Sequence, residues 1–358
     1  MSDLQISLLL IGVVVVGAVY LFNWFQERRL RRRLEEAFGD EHRDVLLEGA
    51  DGRTGDRVEP QMDADSGGAH STQSSTTTPP ALPPDMAGID ETIDCVATIH
   101  GARPLDADTV SSLLSSVAAC GKAWRAAGYS TASGRWEEVS RAATGGYTEL
   151  RLALQLVNRA GPAGAVQLSA FRDAVTTAAQ SASAVAEFPD VEATQKRAQE
   201  LDRFCADVDV AIGVNVIAAE GGEFGAARIR ALAEAAGFKL EPDGMFHLED
   251  DAGNTVLTLG NQEDPPFLPE QIGGMTTHGV TLLLDVPRVA DGNAALDRMF
   301  EIGKSLTVTL KGRLVDDNRA ALSALAMDKI RQQLGGIHEA MIARGIAPGS
   351  ARALRLFS

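Results

Sequence analysis

Residues 208–216 read VDVAIGVNV, and residues 280–286 read VTLLLDV. In the first stretch Val210, Ile212, Val214 and Val216 alternate with Ala211, Gly213 and Asn215. In the second, Val280, Leu282, Leu284 and Val286 alternate with Thr281, Leu283 and Asp285. Successive side chains of a strand point to opposite faces, so each stretch is a strand with one strongly apolar face. The surrounding sequence changes to helical period. Residues 224–236 place Ile229, Leu232, Ala233 and Ala236 on one side, and residues 294–305 do the same with Leu296, Met299, Phe300 and Gly303. A last long helix, capped by Asp317 or Asn318, carries Leu322, Ala326, Ile330, Leu334, Ile337 and Met341. Further strands are expected at 245–249 and 255–260, around the turn DDAGN, and at 307–315.

This is an α+β pattern, a sheet backed by helices on one face. The other face would carry Ala211, Gly213, Asn215, Thr281, Leu283 and Asp285, with Met245 and Gln262 added by the same parity. It is small, shallow and mixed in polarity, and could receive the apolar side chains of a peptide. Parity alone equally allows an ordinary solvent face, or one covered by the rest of the chain.

Upstream, residues 91–206 form a similar unit. Ile93, Cys95, Ala97 and Ile99 alternate as a strand. Asp106 caps a helix expected to run to Ala126, with Val110, Leu113, Leu114, Val117 and Trp124 on one face. Strands are expected at 135–139, 149–158 and 185–188, and helices at 165–181 and 191–205. The second unit, 208–344, repeats this order, and AAGY at 126–129 matches AAGF at 235–238, which suggests a diverged duplication. A C-terminal tail, 345–358, follows.

Residues 4–25, LQISLLLIGVVVVGAVYLFNWF, contain no charge. Twenty-two residues of helix span about 33 Å, enough for a bilayer core. Arg28, Arg29, Arg31, Arg32 and Arg33 follow, whereas the other flank offers only Asp3. A cleaved signal peptide has the opposite charge order, so the segment reads as one transmembrane helix with its N-terminus outside and the remainder cytoplasmic. The basic run in residues 26–49, a segment able to continue as a helix, can also meet anionic lipid headgroups. Residues 50–88 lack periodicity and contain SGGAHSTQSSTTTPPALPPD, the composition of a disordered tether.

The 358 residues hold 33 basic and 49 acidic side chains, a net charge of −16, which argues against nucleic acid as a partner. Cys95, Cys120 and Cys205 fit neither a disulfide framework nor a zinc pattern. Gly221, Gly222 and Gly225 lack a nucleotide-binding fingerprint and read as a flexible strand-to-helix connection. His247 and His278 could face each other, but no nucleophile motif surrounds them. Asp250–Asp251 and Asp316–Asp317 read as turn or cap carboxylates. No catalytic residue, metal site or cofactor is expected.

Residues 208–341 resemble the C-terminal domain of the bacterial cell-division family ZipA. The resemblance rests on VAIGVNV at 210–216, AGF at 236–238, THGVTLLLDVP at 277–287 and LVDDNR at 314–319. The order of anchor, basic run, proline-containing tether and C-terminal domain is similar too. The resemblance implies an antiparallel sheet backed by helices, and an adaptor that ties FtsZ to the inner membrane at the division site. It implies that the open sheet face binds the FtsZ C-terminal tail, at positions falling on Ala211, Gly213, Asn215, Met245, Gln262, Asp264, Thr281 and Leu283. Asn215 and Thr281 would hydrogen-bond the tail. The family has larger apolar residues at 211, 213 and 262, phenylalanine at 283 and lysine at 264, and its tether is longer. Residues 91–206 have no counterpart in its layout. A scaffold or sensor for other envelope partners, or a membrane-associated enzyme, are the alternatives.

Overall fold

The structure, a computed structural model, describes residues 88–140 and 146–358. The expected membrane anchor at 4–25, the basic segment 26–49 and the tether up to residue 87 lie outside the described residues. No helix among the described residues is long and apolar enough to cross a membrane.

The first lobe opens with strand β1 (Asp94–Leu105), whose inward Cys95, Ala97 and Ile99 are fully buried. Helix α1 (Ala107–Ala118) starts where the Asp106 carboxylate accepts from the Thr109 N–H at 2.7 Å, the expected cap. There follow β2 (Trp124–Ser130), β3 (Arg135–Glu138), β4 (Tyr147–Gln155), the short hairpin of β5 (Val157–Asn158) and β6 (Gly161–Pro162), α2 (Ala165–Ser181), β7 (Val185–Glu187) and α3 (Val191–Val208). The main sheet is antiparallel in the order β3-β2-β4-β1-β7. The helix expected to reach Ala126 stops at Ala118. Gly121 turns the chain with φ +74°, and Ala126 and Ala127 become buried residues of β2. The helix preference of alanine is a weak prior, overridden here by pairing with β3 on one side and β4 on the other.

The second lobe comprises β8 (Ala211–Ile217), β9 (Phe224–Gly225), α4 (Ala226–Ala235), β10 (Lys239–Leu240), β11 (Phe246–Glu249), β12 (Thr255–Asn261), β13 (Thr276–Thr277), β14 (Gly279–Asp285), α5 (Gly292–Leu310), β15 (Arg313–Val315) and α6 (Ala324–Ala343). Its main sheet, β10-β11-β12-β14-β8-β15, is antiparallel throughout. Val214, Val216, Val280, Leu282 and Leu284 are fully buried in a core shared with Ile229 of α4 and Leu296 and Met299 of α5. Two expectations are corrected. Residues 307–310 extend α5 instead of opening a strand, and only Arg313–Val315 pairs with β8. Thr307 fits the helix by donating its hydroxyl to the Gly303 carbonyl at 2.8 Å, and Lys311 ends it in the left-handed conformation, φ +57°. Helix α6 is capped by Ser323, which accepts from the Ala326 N–H at 3.2 Å, and not by Asp317 or Asn318.

Both lobes run strand, helix, hairpin, strand, helix, short edge strand, helix. Their hairpins are placed differently. In the first lobe the leading hairpin strand, β2, lies beside β4; in the second the trailing strand, β12, lies beside β14. The two similar tetrapeptides also differ in place, since 126–129 lies within β2 and 235–238 at the end of α4.

Helix α6 joins the lobes. Leu334 belongs to the second core, Met341 to the first, and Ile337 packs against both. Residues 345–358 then fold back onto the first lobe, where helix α7 (Ala351–Leu356) and Phe357 bury Ala353, Leu356 and the Phe357 ring in its core. Arg355 holds this end by pairing with Asp94, which is 1% exposed at the start of β1. Burial pushes the Asp94 carboxyl up, against the pull of that guanidinium.

Candidate peptide-binding face

The register of β8 on β14 sets Ala211 opposite Asp285, Gly213 opposite Leu283 and Asn215 opposite Thr281. On the other side of β14, Thr258 lies opposite Leu283 and Gly260 opposite Thr281. Because the intervening residues fill the core, all of these share the face turned away from α4 and α5. Met245, just before β11, joins them: its Cε lies 3.1 Å from where a Cβ on Gly260 would stand. Gln262 is exposed at the rim, its side-chain oxygen lying over Gly279. The structure thus brings Ala211, Gly213, Asn215, Met245, Gln262, Thr281 and Leu283 to one face. Asp264 is not on it by strand parity, since β12 ends at Asn261 and Asp264 lies exposed in the following loop.

The polar groups are not arranged as the sequence suggests. The Thr281 hydroxyl donates to Asn215 Oδ1 at 2.6 Å, and Asn215 Nδ2 donates to Asp317 Oδ1 at 2.9 Å. Asn215 is only 4% exposed. Its amide and the Thr281 hydroxyl are therefore each engaged within the fold. What they present is Asp317. A Cβ placed on Gly213 would stand 3.5 Å from Asp317 Oδ1, 3.9 Å from Oδ2 and 3.8 Å from Leu283 Cδ1. The carboxylate thus stands within ordinary contact distance of the open Cβ position of Gly213. Sequence reasoning missed it as a turn residue. The signal lay in the register: Val315 pairs with Asn215, so Asp317, two residues on, can return to the same side.

At the other end, Arg159 of the β5–β6 hairpin bonds Asp209 at 2.7 Å and Asp285 at 2.8 Å, and stacks over the Phe357 ring at 5.9 Å. Burial opposes the Arg159 charge, but its bonds to the two carboxylates outweigh that and hold the cation firmly. This places the first lobe against the face at its Asp285 end. Ala211, Gly213, Met245, Thr281 and Leu283 are half-buried. Beneath them, the Thr258 hydroxyl is buried with no hydrogen-bond partner among the described residues.

Other sequence candidates lie apart. His247 contacts Asp243 at 2.9 Å and Thr255 at 3.2 Å, whereas His278 contacts Glu263 at 2.9 Å. The His278 bond holds the Glu263 carboxyl below the usual range. Gly225 sits in β9, which pairs with β13 and leads into α4. Burial pushes the Cys95 and Cys205 thiols up to about 12. Among the described residues no group of three or more His, Cys, Asp or Glu is placed to hold a metal. The outward face of the first lobe is of a different kind. Tyr129 meets Trp136 edge-on, Arg151 lies over Trp136 at 5.5 Å and bonds Glu149 at 3.3 Å, and His100 stands 3.5 Å from Glu149.

Residues 210–333 match the family model described as the ZipA C-terminal FtsZ-binding domain. A cell division protein ZipA of Marinobacter nauticus is 23% identical over 125 residues, covering 34% of this chain and 37% of that protein. Those of Pseudomonas syringae and Ectopseudomonas mendocina are 28% and 27% identical over 153 and 144 residues, covering 41% and 39% of this chain and 52% of each relative. The chain thus spans about a third to a half of the length of these curated relatives. Residues 94–208 lie outside the span that the family model matches; the similarity to the ZipA C-terminal domain lies in the second lobe.

Proposed function

We propose that this chain is a cell-division adaptor that binds the C-terminal tail of FtsZ on the outward face of β8, β14 and β12, and holds it at the inner membrane through residues 4–25. The observation that carries the reading is the half-buried face of Ala211, Gly213, Met245 and Leu283, turned away from the helices, inside the span similar to an FtsZ-binding domain. The five arginines at 28–33 keep everything after the anchor cytoplasmic and add contacts to anionic headgroups. The adaptor acts by contact and carries out no reaction.

Small residues limit the affinity. An apolar burial of about 200–300 Å² at about 25 cal/mol per Å² gives roughly 5–7.5 kcal/mol before ordering costs, which corresponds to micromolar or weaker binding. Many tails on one polymer, and confinement to a surface, raise the effective strength. The test is a pull-down of FtsZ by the full chain in detergent, with the synthetic tail peptide as competitor. Release of FtsZ by the peptide is expected; retention in peptide excess overturns the reading.

A further inference from the structure

We propose that Asp317 is a specificity residue of this face, and that the peptide taken there carries a lysine or arginine side chain beside its apolar anchors; this rests on the peptide-binding reading above. Asp285 and Asp317 both reach the face, and the fold treats them differently. Asp285 is answered from within, by Arg159 at 2.8 Å. Asp317 forms no ion pair among the described residues. Its Oδ1 is held by the buried Asn215 amide at 2.9 Å, itself set by the Thr281 hydroxyl at 2.6 Å, so the carboxylate is oriented. Its Oδ2 is left to accept, 3.9 Å from the vacant Cβ position of Gly213, with Leu283 Cδ1 3.8 Å from the same point. A cationic side chain laid across Gly213 would put its stem against Leu283 and its charge on Asp317. Lysine and arginine suit this, since both carry an apolar stem behind the charge. The buried Thr258 hydroxyl on the adjoining strand is a second polar group on this side without a hydrogen-bond partner among the described residues.

The experiment titrates the full chain in detergent with the FtsZ tail peptide of the same organism, with that peptide carrying Gln for every Lys and Arg, and with Glu in the same places. The proteins are wild type, Asp317→Asn and Asp317→Lys, each checked by thermal melting. Asp317→Asn should bind the native tail about tenfold more weakly, about 1.4 kcal/mol, and the Gln peptide no differently from wild type. Asp317→Lys should prefer the Glu peptide. If wild type binds the tail and Asp317→Asn weakens all three peptides alike, or none, the proposal falls. An array of ten-residue apolar peptides bearing one Lys, Gln or Glu separates the two readings. Should wild type ignore the FtsZ tail yet select Lys over Glu on the array, with the selection lost in Asp317→Asn, then the FtsZ reading fails and this one stands. Absence of that selection overturns it.

Discussion

Gly213→Lys probes the proposed face at its centre. Gly213 has no positive φ, and a Cβ there would meet Asp317 Oδ1 at 3.5 Å and Leu283 Cδ1 at 3.8 Å, which is ordinary contact. Ile212 and Val214 on either side point to the core and are untouched. Replacing a strand glycine removes its entropic cost, so the fold should gain about 0.5–1 kcal/mol, or about 1–3 °C in melting temperature. Binding should move the other way. The lysine stem fills the floor between Asp317 and Leu283 and removes about 60 Å² of apolar contact, about 1.5 kcal/mol. Its ammonium, tethered at high effective concentration, takes the Asp317 carboxylate from the peptide, about 1.4 kcal/mol more. The sum, about 3 kcal/mol, is a loss of about a hundredfold in affinity. Calorimetric titration with the FtsZ tail peptide reads the loss, and a melt of the same sample reads the fold. Binding within threefold of wild type, with melting unchanged or raised, would show that the peptide does not cross Gly213.

Arg355→Ala should cost about 3–5 kcal/mol, because it leaves Asp94 buried without its cation. Burial already raises the Asp94 pKa, and losing Arg355 raises it further, so the deficit seen by denaturant melts should shrink as pH falls and Asp94 protonates. His338 on α6 is shifted down, chiefly by burial, against the pull of the Val286 carbonyl and Asp291. A folded pKa below the unfolded value of about 6.5 means stability present above that pH and lost as pH falls below it. Melting temperatures from pH 7.5 to 5.5 should therefore drop in wild type, and drop less in His338→Gln. A reporter fused after Ser358 should be active only in the cytoplasm, and replacing the five arginines at 28–33 by glutamines should weaken that orientation.

The face was legible because strict alternation of Val210, Ile212, Val214 and Val216, and of Val280, Leu282, Leu284 and Val286, assigns every side chain in these strands to a side. Strand β2 was not, since Ala126 and Ala127 carry no alternation of size, though both are buried in the sheet. Residues 307–310 look like a strand through Thr307, Val308 and Thr309, but their place is set by the helix already running beneath them. Asp317 was invisible for a different reason. Its role depends on where a turn returns relative to a neighbouring strand, which no local pattern encodes. The same holds for residues 345–358, too short to show periodicity, whose contribution comes from burying Leu356 and Phe357 in a core some 200 residues upstream, near Gln155, which donates to the Arg355 carbonyl at 2.8 Å.

A tail peptide bound on the outward face of the second lobe would lie within reach of Met245 and Leu283. Photocrosslinking tests this most directly: an FtsZ tail peptide with a photoreactive group on an apolar side chain is irradiated with the full chain, and the adducts are mapped by mass spectrometry. Adducts are expected at Met245, Leu283 and their neighbours on β8, β12 and β14. Adducts confined to Trp136, Tyr129 and Arg151 of the first lobe, or to the cleft of about 300 Å³ between Phe300, Leu314 and Met327 on the helical side, would contradict that placement.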